Sequence, residues 1–121
     1  ALEYALREAG SEGFPFDSIV ASGPRSALPH ARAGSRVLQE GDFVLLDFGA
    51  VYQGYCSDIT RTFVLGRASD EQREVYGVVL DANVRASGAL RVGMTGIAAD
   101  LVAREYIDAR GFGELFGHSL G

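Results

Sequence analysis

Hydrophobic and polar positions along the chain follow two different periods, and the switches between them mark its elements. Leu2, Ala5, Leu6 and Ala9 recur at i, i+3, i+4, i+7 and predict a helix from Leu2 to Glu8 or Ala9, stopped by Gly10. Gly13-Phe14-Pro15 breaks the chain, and Asp17–Ser22 reads as a short strand closed by Gly23-Pro24. A loop rich in Ser, Pro, Gly and Arg then runs from Gly23 to Gly41, with Val37-Leu38 as an apolar pair inside it. A loop that long in a compact domain is more often functional than not. From Phe43 to Tyr52 the chain is apolar at both parities, the pattern of a strand buried on both faces. Gln53-Gly54 supplies a tight turn into a second strand that reaches Leu65. Ser69 with Gln72 forms a capping box ahead of a helix over 70–88, whose apolar positions are Val75, Val78, Val79, Ala82 and Ala86. After Gly93-Met94, Thr95 caps another helix with the stripe Ile97, Ala98, Leu101, Val102, on which Glu105 also falls, and Gly111 ends it. The order α, β, loop, β-hairpin, α, α is a mixed α/β class with the hairpin at the centre of the sheet.

One carboxylate interrupts the apolar run. Asp47 stands in Phe43-Val44-Leu45-Leu46-Asp47-Phe48, where an unpaired ionised group costs several kcal/mol or more. A second, Asp58, follows on the returning strand. Around a tight even loop, strand residues whose numbers sum to an odd value share a face, so these two lie directly opposite or one pair apart. Two carboxylates that close repel unless they share a proton or are bridged by cations, which makes a metal site the sharp reading. The plainer alternative is that one of them pairs with Arg61 or caps a backbone N–H.

Composition narrows the class without naming a chemistry. A chain of 121 residues supports one domain and one core, and 47% hydrophobic with 22% charged residues describes a soluble globular protein. A net charge of −5 offers no basic field for nucleic acid. The single cysteine, Cys56, excludes an intramolecular disulfide and fits a reducing compartment, so the cytoplasm is the expected location. No stretch is apolar enough to span a membrane, and no signal-peptide pattern is present. The chain opens already inside a helical pattern and closes on the apolar, glycine-rich 111–121, which reads as an interior segment cut short.

Among the remaining side chains, His30 follows Pro29 on the long loop, a setting that lifts it above an ordinary surface histidine. His118, in Phe116-Gly117-His118-Ser119, reads as a ligand, a hydrogen-bond donor to substrate, or neither. Cys56 shares parity with Asp58; a thiolate ligand is conceivable and a buried structural cysteine is favoured. Thr60 has the same parity and suits a hydroxyl bonded to a carboxylate, while Arg61 points the other way. Glycines 111, 113, 117 and 121 match no phosphate-cradling spacing, so no nucleotide cofactor is assigned.

Three strings carry a resemblance across nearly the whole chain: Ile19-Val-Ala-Ser-Gly-Pro-Arg-Ser-Ala-Leu-Pro-His30, Leu46-Asp-Phe-Gly-Ala-Val-Tyr-Gln-Gly-Tyr-Cys-Ser-Asp-Ile-Thr-Arg-Thr-Phe63 and Phe116-Gly-His-Ser-Leu-Gly121. They resemble the proline-specific pita-bread metallopeptidases, the aminopeptidase P and prolidase group. Methionine aminopeptidases resemble the hairpin, but Ser-Ala-Leu-Pro-His favours the proline-specific branch, and creatinase shares the fold without the metals. The resemblance implies an α/β pita-bread fold, its first half plus the start of the second, so that residues 1–121 form a partial catalytic domain. It implies two divalent ions (Mn²⁺ or Co²⁺, with Zn²⁺ possible) whose bridging hydroxide attacks the carbonyl before proline. Asp47 matches a ligand to one ion, Asp58 the carboxylate that bridges both, and His30 the histidine that contacts substrate and assists proton transfer. His118 matches the first, substrate-lining histidine of the His-Ser-Leu-Gly-His pattern; the second, a metal ligand, falls one position beyond Gly121. With two of the family's five ligands on it, the chain by itself is expected to be inactive. Expected partners are proline-containing peptides and further copies of the chain, with neither nucleic acid nor membrane. A pita-bread module that binds peptides or proteins without catalysis is the alternative, which the two facing aspartates disfavour.

Overall fold

A computed structural model describes residues 1–120, in two compact units that divide between Ala68 and Ser69. In the first, helix α1 spans Leu2–Glu8, and the Gly10 and Ser11 N–H groups close its end on the Arg7 and Leu6 carbonyls at 3.0 and 2.9 Å. Three antiparallel strands form the sheet: β1 (Ile19–Ser22), β2 (Phe43–Phe48) and β5 (Ile59–Val64), with β2 in the middle. The strand expected from Asp17 starts at Ile19, opposite Asp47, because its partner β2 ends one residue later.

The hairpin keeps one register throughout, but as two ladders rather than one. Phe43 faces Val64 and Phe48 faces Ile59 in the first ladder. The short strands β3 (Val51–Tyr52) and β4 (Tyr55–Cys56) continue it around a turn in which Gln53 and Gly54 both take positive φ, 49° and 80°. That is the turn whose twist matches a hairpin, and Gly54 adopts it without strain. Between the ladders the chain pinches at Gly49, where a Cβ would run into the Ser57 carbonyl and the Pro15 ring. Ser57 bridges the gap by donating its N–H to the Ala50 carbonyl at 2.9 Å and accepting the Ala50 N–H on Oγ at 3.1 Å.

Burial in the sheet is less complete than an apolar run at both parities predicts. Ala21 and Val44 are buried, whereas Phe43, Leu45, Leu46 and Phe48 are half-buried. Val20, Ile59 and Phe63, which alternate onto the face opposite Asp47, are 41%, 37% and 47% exposed.

The expected loop from Gly23 begins as a 3₁₀ turn over Gly23–Ala27 and is tied at its far end. Arg36 forms a forked pair with Asp42 at 2.5 and 2.9 Å and also donates to Ser22 Oγ at 2.9 Å. The Gln39 N–H adds a further bond to Asp42 at 2.8 Å. These groups pull Asp42 below the usual carboxylate range, the Arg36 hydrogen bond first and the Gln39 N–H next.

The second unit is a helix pair. Helix α2 (Asp70–Ala89) starts on Ser69, which receives the Gln72 N–H at 3.1 Å while the Gln72 side chain accepts the Ser69 N–H at 2.9 Å, the expected capping box. Helix α3 (Gly96–Asp108) is capped by Thr95, whose Oγ1 accepts the Ala98 N–H at 3.2 Å. Their core is Val78, Ala82 and Ala86 of α2 against Ala103 and Ile107 of α3, with Val102, Tyr106, Phe112, Phe116 and Leu120 packed around it. The stripe expected on α3 is therefore rotated. Ala99, Ala103 and Ile107 are buried, while Ile97 and Leu101 are 77% and 43% exposed, and on α2 Val79 is exposed as well. Alanines on both helices let the two backbones approach closely, and such small side chains register weakly in a hydropathy pattern. Past Asp108, the Gly111 and Phe112 N–H groups return to the Asp108 and Ile107 carbonyls at 2.8 and 3.2 Å, ending the helix as the sequence predicts.

Candidate functional site

The observed register settles how the two aspartates meet. Asp47 sits opposite Thr60, and Asp58, two residues before Thr60, is one pair further along on the same face. Thr60 Oγ1 donates to Asp47 Oδ1 at 3.0 Å and fixes that carboxylate from the facing strand. Arg61 turns away and donates to the Thr60 carbonyl at 2.8 Å. Asp58 is exposed, yet its carboxyl is pushed above the usual range by partial burial first and by the neighbouring Asp47 carboxylate next. Like charge is thus concentrated at this point of the sheet, as a cation site requires.

A cavity of about 450 Å³ opens over the pair and is lined also by Pro29, His30, Ser18 and Arg32. His30 reaches it from the long loop, where a turn from Leu28 to Ala31 (3.3 Å) and the burial of Ala31 hold the backbone beside it. Three sequence candidates, His30, Asp47 and Asp58, therefore line one cavity. Among the described residues, no three His, Cys, Asp or Glu side chains come close enough together to hold a metal ion. Cys56, expected to be a buried structural cysteine, is exposed, because the short β3–β4 hairpin stands out from the sheet with Tyr52 and Tyr55 also exposed.

His118 belongs to the second unit and is exposed on the segment after the 3₁₀ turn Gly113–Leu115. Its ring stands edge-on to Phe116 at 5.1 Å, and Nδ1 lies 2.6 Å from the Ser119 carbonyl. A carbonyl can only accept, so Nδ1 is the donor in this contact.

Two cavity-lining residues had no signal in the sequence. Arg32 is an isolated cation on a loop with several arginines. Ser18 precedes the strand as one serine among many, and its buried Oγ has no hydrogen-bond partner among the described residues.

The sequence profile of metallopeptidase family M24 matches residues 1–121. The chain is 48% identical over 120 residues to an Xaa-Pro dipeptidase of Pyrococcus furiosus, covering 99% of this chain and 34% of that protein. It is 50% identical over 120 residues to an uncharacterized peptidase of Bacillus subtilis, with 99% and 34% covered. Among solved structures, the X-Pro aminopeptidase from Thermotoga maritima superposes with a TM-score of 0.93 at 53% identity, over 98% of this chain and 33% of that one. The prolidase from Pyrococcus furiosus gives 0.94 at 48% identity, over 98% and 35%. The chain thus spans about a third of the length of the relatives it matches, and its α/β architecture is that of the corresponding part of the pita-bread fold.

Proposed function

Since the chain belongs to metallopeptidase family M24, we propose that it is part of an Xaa-Pro peptidase, hydrolysing the peptide bond before proline with the help of two divalent cations. The observation that carries this reading is the diagonal Asp47–Asp58 pair, two carboxylates on one face at the wall of a cavity that His30 also lines. Their donor set fits a cation: hard carboxylate oxygens suit Mn²⁺ or Co²⁺, with Zn²⁺ a third candidate. Such ions, when bound, supply Lewis acidity and an acidified water at neutral pH. Asp47 and Asp58 would hold them, and Thr60 would keep Asp47 oriented. His30 would orient the substrate carbonyl and pass a proton through an imidazole nitrogen. His118 would contact substrate rather than metal. The 121 residues alone carry two ligands of the expected five and would turn over no substrate.

The experiment uses the full-length protein, with metal content and kcat for an Xaa-Pro dipeptide measured together. Asp58→Asn is expected to strip metal and abolish activity. His30→Ala is expected to retain metal and lose on the order of 10² to 10⁴ in rate, the usual worth of a positioned acid–base group. Metal loss in His30→Ala would make His30 a ligand instead, and full activity in Asp58→Asn would remove the basis of the reading.

A further inference from the structure

Arg104 lies on α3, and its guanidinium is engaged on every side. Nε and Nη2 meet Asp100 Oδ2 and Oδ1 at 2.6 and 2.9 Å. Nη1 donates to the Phe116 carbonyl at 2.9 Å and Nη2 to the His118 carbonyl at 2.9 Å. The guanidinium plane also lies over the Phe116 ring, 4.5 Å from its centre. Asp100 completes the arrangement by accepting the Leu120 N–H on Oδ1 at 3.0 Å. As a helix device alone, an i, i+4 pair of this kind contributes little. Three of these bonds go to backbone outside the helix, on both sides of His118, in a segment with no regular structure beyond the turn Gly113–Leu115.

The geometry points to Arg104 and Asp100 as a positioning pair for His118, holding Phe116–Leu120 so that the imidazole keeps one place. Neither residue needs to touch substrate. The guanidinium fork spans two carbonyls two residues apart, which a lysine's single point of charge cannot do. The phenyl ring under the fork also meets the imidazole in a T-shaped contact. Loss of the fork therefore removes the backbone anchor and frees the ring contact together.

The rate part of the test rests on the peptidase reading above; the ordering part does not. Arg104→Met keeps the stem and removes every donor. In the full-length, metal-loaded protein it is expected to lower kcat about 10²-fold, the cost of a misplacement near 1 Å, with KM nearly unchanged. In a His118→Ala background the same change should cost less than about threefold, because the two residues act as one unit. Backbone amide exchange over 116–120 should speed up, while exchange over Asp70–Ala89 stays as it was. Should the Met variant fail to fold, Arg104→Lys keeps the charge beside Asp100 and should show the same pattern. Equal losses with and without His118, or unchanged exchange over 116–120, overturn the positioning role. If the unmutated protein cleaves no Xaa-Pro substrate, the peptidase reading falls and the exchange result alone decides this inference.

Discussion

Two carboxylates one pair apart on a sheet face repel, and in this chain the effect falls on Asp58, held above its ordinary range by partial burial and then by Asp47. The folded state therefore keeps this proton to a higher pH than the unfolded chain does. Stability is lost as pH rises from the unfolded carboxylate value, about 3.9, to the higher folded one, and the deficit persists above it. Without metal, Asp58→Asn should thus be more stable than the unmutated protein at pH 7. The expected gain is roughly 0.5 kcal/mol, the scale of an exposed, solvent-screened charge interaction. Thermal melts in chelator at pH 7 and pH 3.5 test this, and the two proteins should converge at the lower pH. A less stable Asn variant at pH 7 would mean that Asp58 holds the fold together rather than straining it. Both aspartates were legible in the sequence, since a charge inside an apolar run demands a partner and hairpin parity shows where to look. Thr60 was legible for the same reason. Ser18 was not, because a lone serine before a strand carries no periodic or charge signal until the fold turns its hydroxyl inward.

Among the elements, the segment 23–41 is tied at its far end by one ion pair, Arg36 with Asp42. Asp42 is held low by the Arg36 hydrogen bond and then by the Gln39 N–H. A depressed carboxylate contributes stability that is fully present above the unfolded value, about 3.9, and is lost as pH falls through the lower folded value. Acid should therefore loosen this loop, and His30 with it. Asp42→Asn should be less stable than the unmutated protein at pH 7 and converge with it once pH falls below the lowered folded value, as followed by melting curves; parallel curves across the acid range would show that the pair contributes nothing. The sequence marked this segment as a long loop but not its tie, because nothing in the spacing of Arg36 and Asp42 distinguishes a forked pair from two surface charges. Local chemistry was read more faithfully: the Ser69–Gln72 box and the Gln53-Gly54 turn are both where their residues predict. The face of α3 differs from the one its hydropathy predicts because its packing against α2 runs through Ala103 and Ile107, and the burial of Ala103 depends on close approach of a second helix rather than on its own hydropathy.

For the molecule as a whole, exposed apolar surface is the property that decides its behaviour. On the sheet face opposite Asp47, Val20, Ile59 and Phe63 are 41%, 37% and 47% exposed. In the helix pair, Ile97 and Leu101 on α3 are 77% and 43% exposed, and Val79 and Val84 on α2 are 55% and 62%. Single exposed apolar residues are ordinary, but several on one sheet face, with Arg61 between Ile59 and Phe63, offer surface for another segment to cover. At about 25 cal/mol per Å², covering even ~300 Å² of such surface is worth about 7.5 kcal/mol, comparable to the whole stability of a domain. A chain spanning a third of its relatives' length has much of a pita-bread protein's packing surface left to contribute from elsewhere. The 121-residue polypeptide by itself is therefore expected to self-associate at micromolar concentration and to enhance ANS fluorescence, while a full-length protein does so far less. Its Mn²⁺ affinity should be correspondingly weak, since two carboxylates alone make a poor cage, and calorimetric titration of both lengths compares them directly. Light scattering that shows a monodisperse monomer, with no dye response, would mean that the two units close their own cores and that the exposed side chains are isolated from one another.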